Sequence, residues 1–370
     1  MVTHLYLHVP YCAAKCPYCD FNSIAGREAE HAAYVEALLI EVLRLPRGPY
    51  ATVFIGGGTP TMLGARLLER LLAGVRGHIQ LAEGYEWTCE ANPGSSDAER
   101  FAVLAEHGVN RLSLGVQSTH QHHLRFLGRV HDAAEADRAI AAACAAVPRV
   151  SADLMFGLPG QSVAEVEADL QLYRRHRLEH ASVYHLAFEP GTEFHARRAR
   201  GELADIDGDA SRQLIELVAG RLADLGLHAY ETSNFAVPGA ECRHNLAYWR
   251  LADYHAAGAG AVSTLGGERL TREKHPAAYI AAIGGGGAAI WRRERISAVE
   301  RQREAWMLGL RLSEGIELER LAALGDPPQR WLPLAQPLID LGLVELHPGR
   351  LRLATTARYA QDEVTVRLMP

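Results

Sequence analysis

The sequence predicts an α/β fold: a partial, open (βα)6 barrel followed by a C-terminal, mostly helical, winged-helix-like domain. Three observations carry that expectation. Short apolar runs of strand type alternate with longer stretches of helical period six times between residues 5 and 225, an order that builds a parallel sheet with right-handed crossovers. Polar residues and glycines gather just after the strands, at the rim where such sheets place their sites. Beyond residue 290 the order changes to helices and then a strand, a turn and a strand. Six units fall short of the eight that close the usual barrel, so the barrel is expected to be open.

The first unit is Leu5-Tyr6-Leu7-His8-Val9, stopped by Pro10, with a helix over 28–45 whose apolar positions Tyr34, Leu38, Val42 and Leu45 share one face. Residues 52–55 and a helix over 64–79 make the second, with Gly56-Gly57-Gly58-Thr59-Pro60 between them. The third pairs 85–91 with 96–107, the fourth 111–116 with 133–145, the fifth 150–156 with 163–175 and the sixth 180–187 with 209–225. Glu90, Gln117, Asp153 and Ala187 stand at or near the ends of the third to sixth strands. Any one such polar residue is a common strand-end cap, and any one glycine a common turn residue. Their repetition along one rim points to a shared site.

The run Gly284 to Gly287 marks a flexible boundary. The expected division is 1–235 for the barrel, 236–290 for a connecting segment and 291–370 for the C-terminal domain. In the last, helices over 297–312, 318–324 and 331–341 precede strands at 343–346 and 351–353 around Pro348-Gly349. Charges alternate there without a clean basic face, so packing or a lid is expected rather than a nucleic-acid contact.

The chain is 48% hydrophobic and 22% charged with a net charge of −6, as in an ordinary globular protein. No global basic field draws it to nucleic acid. No apolar run approaches the roughly 18 residues that span a bilayer. With only six cysteines in 370 residues and no signal peptide, a soluble, reducing, cytoplasmic setting is expected. Peripheral membrane contact and oligomeric state are left open.

Cys12, Cys16 and Cys19 form a C-x3-C-x2-C run just after the first strand. Soft thiolates select iron–sulfur clusters, zinc or copper. Three of them hold three corners of a four-iron cube and leave one iron open. Structural zinc calls for a fourth Cys or His at short spacing, and none follows Cys19 nearby. Sparing cysteine use in a large chain argues against a disulfide framework. Three buried thiols in a loop are the bland alternative.

With Tyr18 before the last cysteine, this stretch resembles the signature of the radical S-adenosylmethionine (SAM) superfamily. The resemblance implies a 4Fe-4S cluster on Cys12, Cys16 and Cys19, with the fourth iron chelated by the methionine part of SAM. It also implies one-electron cleavage of SAM to methionine and a 5'-deoxyadenosyl radical. Gly56-Gly57-Gly58-Thr59-Pro60 is similar to the GGGTP form of the SAM-binding motif in coproporphyrinogen-dehydrogenase-like members. By the same resemblance Tyr6, Tyr18, Gly57, Gly58, Thr59, Glu90, Gln117, Arg129, Asp153 and Ala187 would contact SAM.

Farther along, Cys242-Arg243-His244-Asn245-Leu246-Ala247-Tyr248-Trp249 resembles the HNxxYW motif of the HemW group of haem chaperones. On composition alone a lone histidine is more often a satisfied polar residue. The resemblance implies His244 as a haem ligand, with Cys242 as the alternative and the aromatics as a flat apolar wall. The implied function is a haem chaperone that binds the cluster, SAM and haem, and delivers haem to apo-haemoproteins such as respiratory enzymes.

The alternative is an enzyme acting on porphyrinogens, an oxygen-independent coproporphyrinogen III dehydrogenase, or a related radical SAM methyltransferase. The dehydrogenases carry one more cysteine where Phe21 stands here, and a longer segment before the motif than the eleven residues preceding Cys12. Cleavage of SAM is therefore expected and decarboxylation of coproporphyrinogen III is not. One departure lies after Gly258-Ala259-Gly260-Ala261, where the family commonly has His-Gly and this chain has Val262-Ser263.

Overall fold

The computed structural model describes residues 2–370. Six parallel strands form its centre: β1 (His4–Val9), β2 (Tyr50–Gly57), β3 (Leu81–Ala91), β4 (Arg111–Gln117), β5 (Arg149–Phe156) and β6 (His180–His185). The helices between them are α1 (His31–Val42), α2 (Ala65–His78), α3 (Ala98–Glu106), α4 (Gln121–Phe126), α5 (Ala133–Ala146) and α6 (Val163–His176), with α7 (Glu193–Ala199) and α8 (Gly208–Ala223) after β6. The six-unit half-barrel expected from the sequence is present.

The sheet is wider than six strands. β7 (His228–Ala229) and β8 (Asn234–Ala236) extend it beyond β6 with antiparallel pairing, and β9 (His255–Ala257) runs parallel to β1 on the opposite edge. The spatial order is β9-β1-β2-β3-β4-β5-β6-β8-β7. These added strands are two or three residues long, too short for a periodic signal.

Alternation along each strand sorts two environments. On β1, Leu5, Leu7 and Val9 are fully buried under the helices, while Tyr6 and His8 face the concave side. α2 supplies Leu68, Leu71, Leu72 and Val75 to the same outer core, at helical spacing. Capping boxes start α5 (Asp132 with Glu135) and α6 (Ser162 with Glu165), each satisfying two otherwise orphaned backbone donors.

The segment after β8 contains α9 (Arg243–Trp249), β9, a meander of β10 (Val262–Leu265), β11 (Glu268–Arg272) and β12 (Ile290–Arg295), and α10 (Pro276–Gly284). It is pinned to α1 by a buried network. The Glu41 carboxylate accepts from Arg272 Nε at 2.9 Å, the Tyr279 hydroxyl at 2.7 Å and Gly258 N–H at 2.9 Å.

The C-terminal part has a second apolar core built on Trp306, Trp331, Leu321 and Leu351. Its elements are α11 (Ala298–Gly309), β13 (Ile316–Glu317), α12 (Leu318–Ala323), α13 (Pro328–Asp340), the hairpin β14 (Val344–His347) and β15 (Arg350–Leu353), and α14 (Gln361–Leu368). This is the helical arrangement with a wing that the sequence suggested. Among the described residues no helix is long and apolar enough to cross a membrane.

Candidate functional site

The loop after β1 carries the three cysteines. Tyr11-Cys12 pairs with Ile24-Ala25 to close its neck, and Ile24 N–H donates to Pro10 C=O at 2.8 Å. All three thiols are free and partly exposed. Each has a donor or potential donor facing it: Thr59 Oγ1 lies 3.6 Å from Cys12 Sγ, Arg129 Nη1 lies 3.5 Å from Cys16 Sγ, and Lys15 Nζ lies 3.9 Å from Cys19 Sγ. Burial pushes the Cys12 thiol up, and the Thr59 hydroxyl pulls against that.

The loop is held from several directions. Pro17 C=O accepts Phe194 N–H at 2.9 Å, and Tyr18 packs in a small apolar cluster with Leu127, Leu186 and Phe194. Asn22 reaches across to the distant segment, donating from Nδ2 to Ala259 C=O and Lys274 C=O, both at 3.0 Å.

The glycine run lies beside the loop at the end of β2. Gly57 has a φ of +114°, and a side chain there would strike the His8 ring. A Cβ on Gly58 would stand 2.7 Å from Pro10 C and Tyr11 O. Only glycine lets this backbone pass so close to the loop.

Asn92, at the next strand end, joins the pieces. Its Nδ2 donates to Thr59 Oγ1 at 2.6 Å, and its Oδ1 accepts Arg129 Nη2 at 2.5 Å. Arg129 also donates to Gly115 C=O at 2.7 Å, yet its buried Nε has no partner, which leaves a donor for an anionic group. Gln117 sits nearby with φ +72°, an unusual left-handed backbone for glutamine.

A cavity of about 490 Å³ opens from this rim into the half-barrel, lined in part by Tyr6, Gly57, Glu90, Asp153 and His244. Glu90 accepts Gly57 N–H at 3.0 Å, and Asp153 accepts Ser113 Oγ at 2.9 Å. Both carboxyls are half-buried and line this cavity. Burial, reinforced by the Asp153 charge, pushes Glu90 up to about 7. Burial pushes Asp153 up to about 6, against the pull of the Ser182 and Ser113 hydroxyls. Two such carboxyls in one cleft suit a ligand bearing a positive charge or several hydroxyls.

His244 lies deeper, on α9, which covers the other end of the half-barrel. Its ring is 1% exposed and stacks on Phe54 at 5.2 Å. Both nitrogens are engaged, Nδ1 with Thr52 Oγ1 at 2.7 Å and Nε2 with the Tyr248 hydroxyl at 2.9 Å. Burial pulls its pKa down to about 3, so it is neutral. Asn245 and Tyr248 share the cavity, whereas the Trp249 ring lies under Arg311 on the C-terminal side. The aromatic wall therefore comes from Tyr6, Phe54 and Tyr248 rather than from Trp249. Cys242 is buried and turned to Glu86 Oε1 at 3.7 Å.

Of the residues expected at the site, Cys12, Cys16, Thr59 and Arg129 form one linked group, Cys19 stands on the same loop beside Lys15, and Tyr6, Gly57, Glu90 and Asp153 line the adjoining cavity. Ala187 is on the exposed stretch after β6. Sequence reasoning missed Thr88, Arg111, Ser113, His180 and Ser182, which also line the cavity. A signal existed: Glu86-x-Thr88-x-Glu90, Arg111-x-Ser113 and Ser151-x-Asp153 place polar groups at every second position of strands that are otherwise apolar.

Comparison with known proteins agrees with this geometry. Residues 6–173 match the radical SAM superfamily and residues 296–359 match the HemN C-terminal domain. A protein named heme chaperone HemW from Mycobacterium tuberculosis is 36% identical, with 99% of this chain and 94% of that protein covered. Another of that name from Escherichia coli is 39% identical over 84% of this chain and 82% of its own length. The solved coproporphyrinogen III oxidase HemN of E. coli, described as a radical SAM enzyme, superposes with a TM-score of 0.85 over all of this chain and 90% of its own. At 21% identity that likeness speaks to fold alone.

Proposed function

Because the chain belongs to the HemW family of the radical SAM superfamily, we propose that it is a haem chaperone that carries a 4Fe-4S cluster and SAM, binds haem, and passes it to apo-haemoproteins such as respiratory enzymes. The observation that supports this most directly is the meeting of three thiols faced by donors, a glycine shelf and two half-buried carboxyls at one strand-end rim.

In this reading Cys12, Cys16 and Cys19 hold the cluster, and Thr59, Arg129 and Lys15 stabilise their negative charge. When bound, the cluster and SAM together supply a one-electron cleavage of a sulfonium carbon–sulfur bond. Gly57 and Gly58 admit the methionine end of SAM to the loop, and the free Arg129 Nε is placed for its carboxylate. Glu90 and Asp153 receive its ammonium and ribose hydroxyls. Tyr6, Tyr18, Gln117 and the Ala187 backbone complete the contacts.

Haem is the cargo, and His244 is its proposed ligand. A neutral imidazole is the form that binds iron. Ligation requires the Tyr248 hydroxyl to leave Nε2.

The test is anaerobic reconstitution with iron and sulfide, then SAM, haem and coproporphyrinogen III assayed side by side. Methionine and 5'-deoxyadenosine should form, haem should bind, and coproporphyrinogen III should be unchanged. Formation of protoporphyrinogen IX would replace the chaperone reading with that of a dehydrogenase.

A further inference from the structure

On the outer rim, away from the cavity, the sequence His120-Gln121-His122-His123 begins α4 and meets the first turn of α6. His122 Nε2 lies 2.9 Å from Glu165 Oε1, and His123 Nε2 lies 3.5 Å from the same oxygen. The three ligand atoms all fall within 4.8 Å of one another. We propose that His122, His123 and Glu165 form a site for one divalent transition-metal ion, with zinc the ion their chemistry favours.

Two nitrogens and a carboxylate oxygen are a common zinc set that leaves a fourth position open, with bonds of about 2.0–2.2 Å and therefore ligand atoms about 3.3 Å apart. The two nitrogen–oxygen separations, 2.9 and 3.5 Å, bracket that value. A simple ion pair between His122 and Glu165 does not account for His123. Its ring is 3% exposed, and its Nε2 is buried, aimed at Glu165 and without a hydrogen-bond partner. An orphaned buried nitrogen is costly, and a metal ion would satisfy it. The two imidazoles lie with ring centroids 3.9 Å apart, so protonating both would set like charges against each other.

Glu165 is oriented for the task. Its Oε2 accepts from Ser162 N–H at 2.8 Å and Ser162 Oγ at 2.7 Å in the capping box of α6. That hold leaves Oε1 free toward the histidines, as supporting contacts fix metal-binding carboxylates elsewhere. His120 is outside the set, since its Nε2 faces Glu165 C=O at 3.2 Å, and Asp169 is occupied by Ser118 and Thr119. His122 is 57% exposed, so an ion can enter from solvent.

The test uses chain with the cluster loaded, so that the three thiols are not available to added metal. Cobalt(II) is titrated anaerobically and read by electron paramagnetic resonance, which an oxidised, diamagnetic cluster does not obscure; zinc is then added as competitor. One cobalt per chain should bind and be displaced by zinc. His122→Ala and Glu165→Gln should each weaken binding at least tenfold, while Gln121→Ala on the same helix should not. Because His122 is exposed, its variant tests the ligand set without disturbing the core. Absence of a bound cobalt, or equal affinity in wild type and His122→Ala, would overturn the proposal.

Discussion

Replacing Glu90 by Gln should stabilise the protein that lacks cluster and SAM while weakening its hold on SAM. A carboxyl whose pKa moves from the ordinary 4.5 to about 7 on folding is linked to ~3 kcal/mol, at about 1.4 kcal/mol per pH unit. The sign follows from the direction. The folded state holds this proton more tightly, so the contribution is fully present below about 4.5 and is lost as pH rises to about 7. Above pH 7 the wild type carries a half-buried charge that glutamine does not, and glutamine can still accept Gly57 N–H. The assay is thermal or urea unfolding of cluster-free wild type and variant at pH 5 and pH 8, read as their difference so that other carboxyls cancel. The variant should gain little at pH 5 and up to ~3 kcal/mol at pH 8, a rise of several degrees in Tm. Equilibrium dialysis of SAM with cluster-loaded protein should show the opposite ranking at pH 8. A stability difference equal at both pH values, or a variant that binds SAM as well as wild type, would refute the reasoning.

Glu41→Ala should destabilise the fold by about 3–5 kcal/mol, because it strands the buried Arg272 guanidinium; denaturant unfolding measures it, and Glu41→Gln should cost less. Tyr248→Phe frees His244 Nε2 and should tighten haem binding about fivefold, the worth of one hydrogen bond near 1 kcal/mol; His244→Ala should remove that gain in a haem titration, and an unaltered spectrum would remove His244 as ligand. Thr59→Val should leave the fold intact but reduce cluster retention on exposure to a chelator, since Cys12 loses its hydroxyl neighbour.

The half-barrel was legible because its helices and strands are long and strongly periodic, as in α2 and β1. The cluster loop was legible because three thiols at short spacing are chemically unusual. Less visible were contacts that depend on the chain returning from far away. Nothing local in Asn22 or Gly260 announces that one packs against the other. The lumen was hidden for another reason: Thr88, Arg111 and Ser113 read as scattered polar residues until neighbouring strands bring them to one face. His244 shows a third limit. The resemblance of its motif implied a ligand, but both of its nitrogens are engaged by Thr52 and Tyr248, a relation set by register and by the placement of α9.

The reach of Asn22 to Ala259 and Lys274 also orders events during synthesis. The sulfur-bearing loop is translated before two of its fastenings, which follow some 240 residues later. A nascent chain thus exposes its most oxygen-sensitive groups long before it can finish the enclosure around them. In that interval the finished fold does not yet shield those thiols.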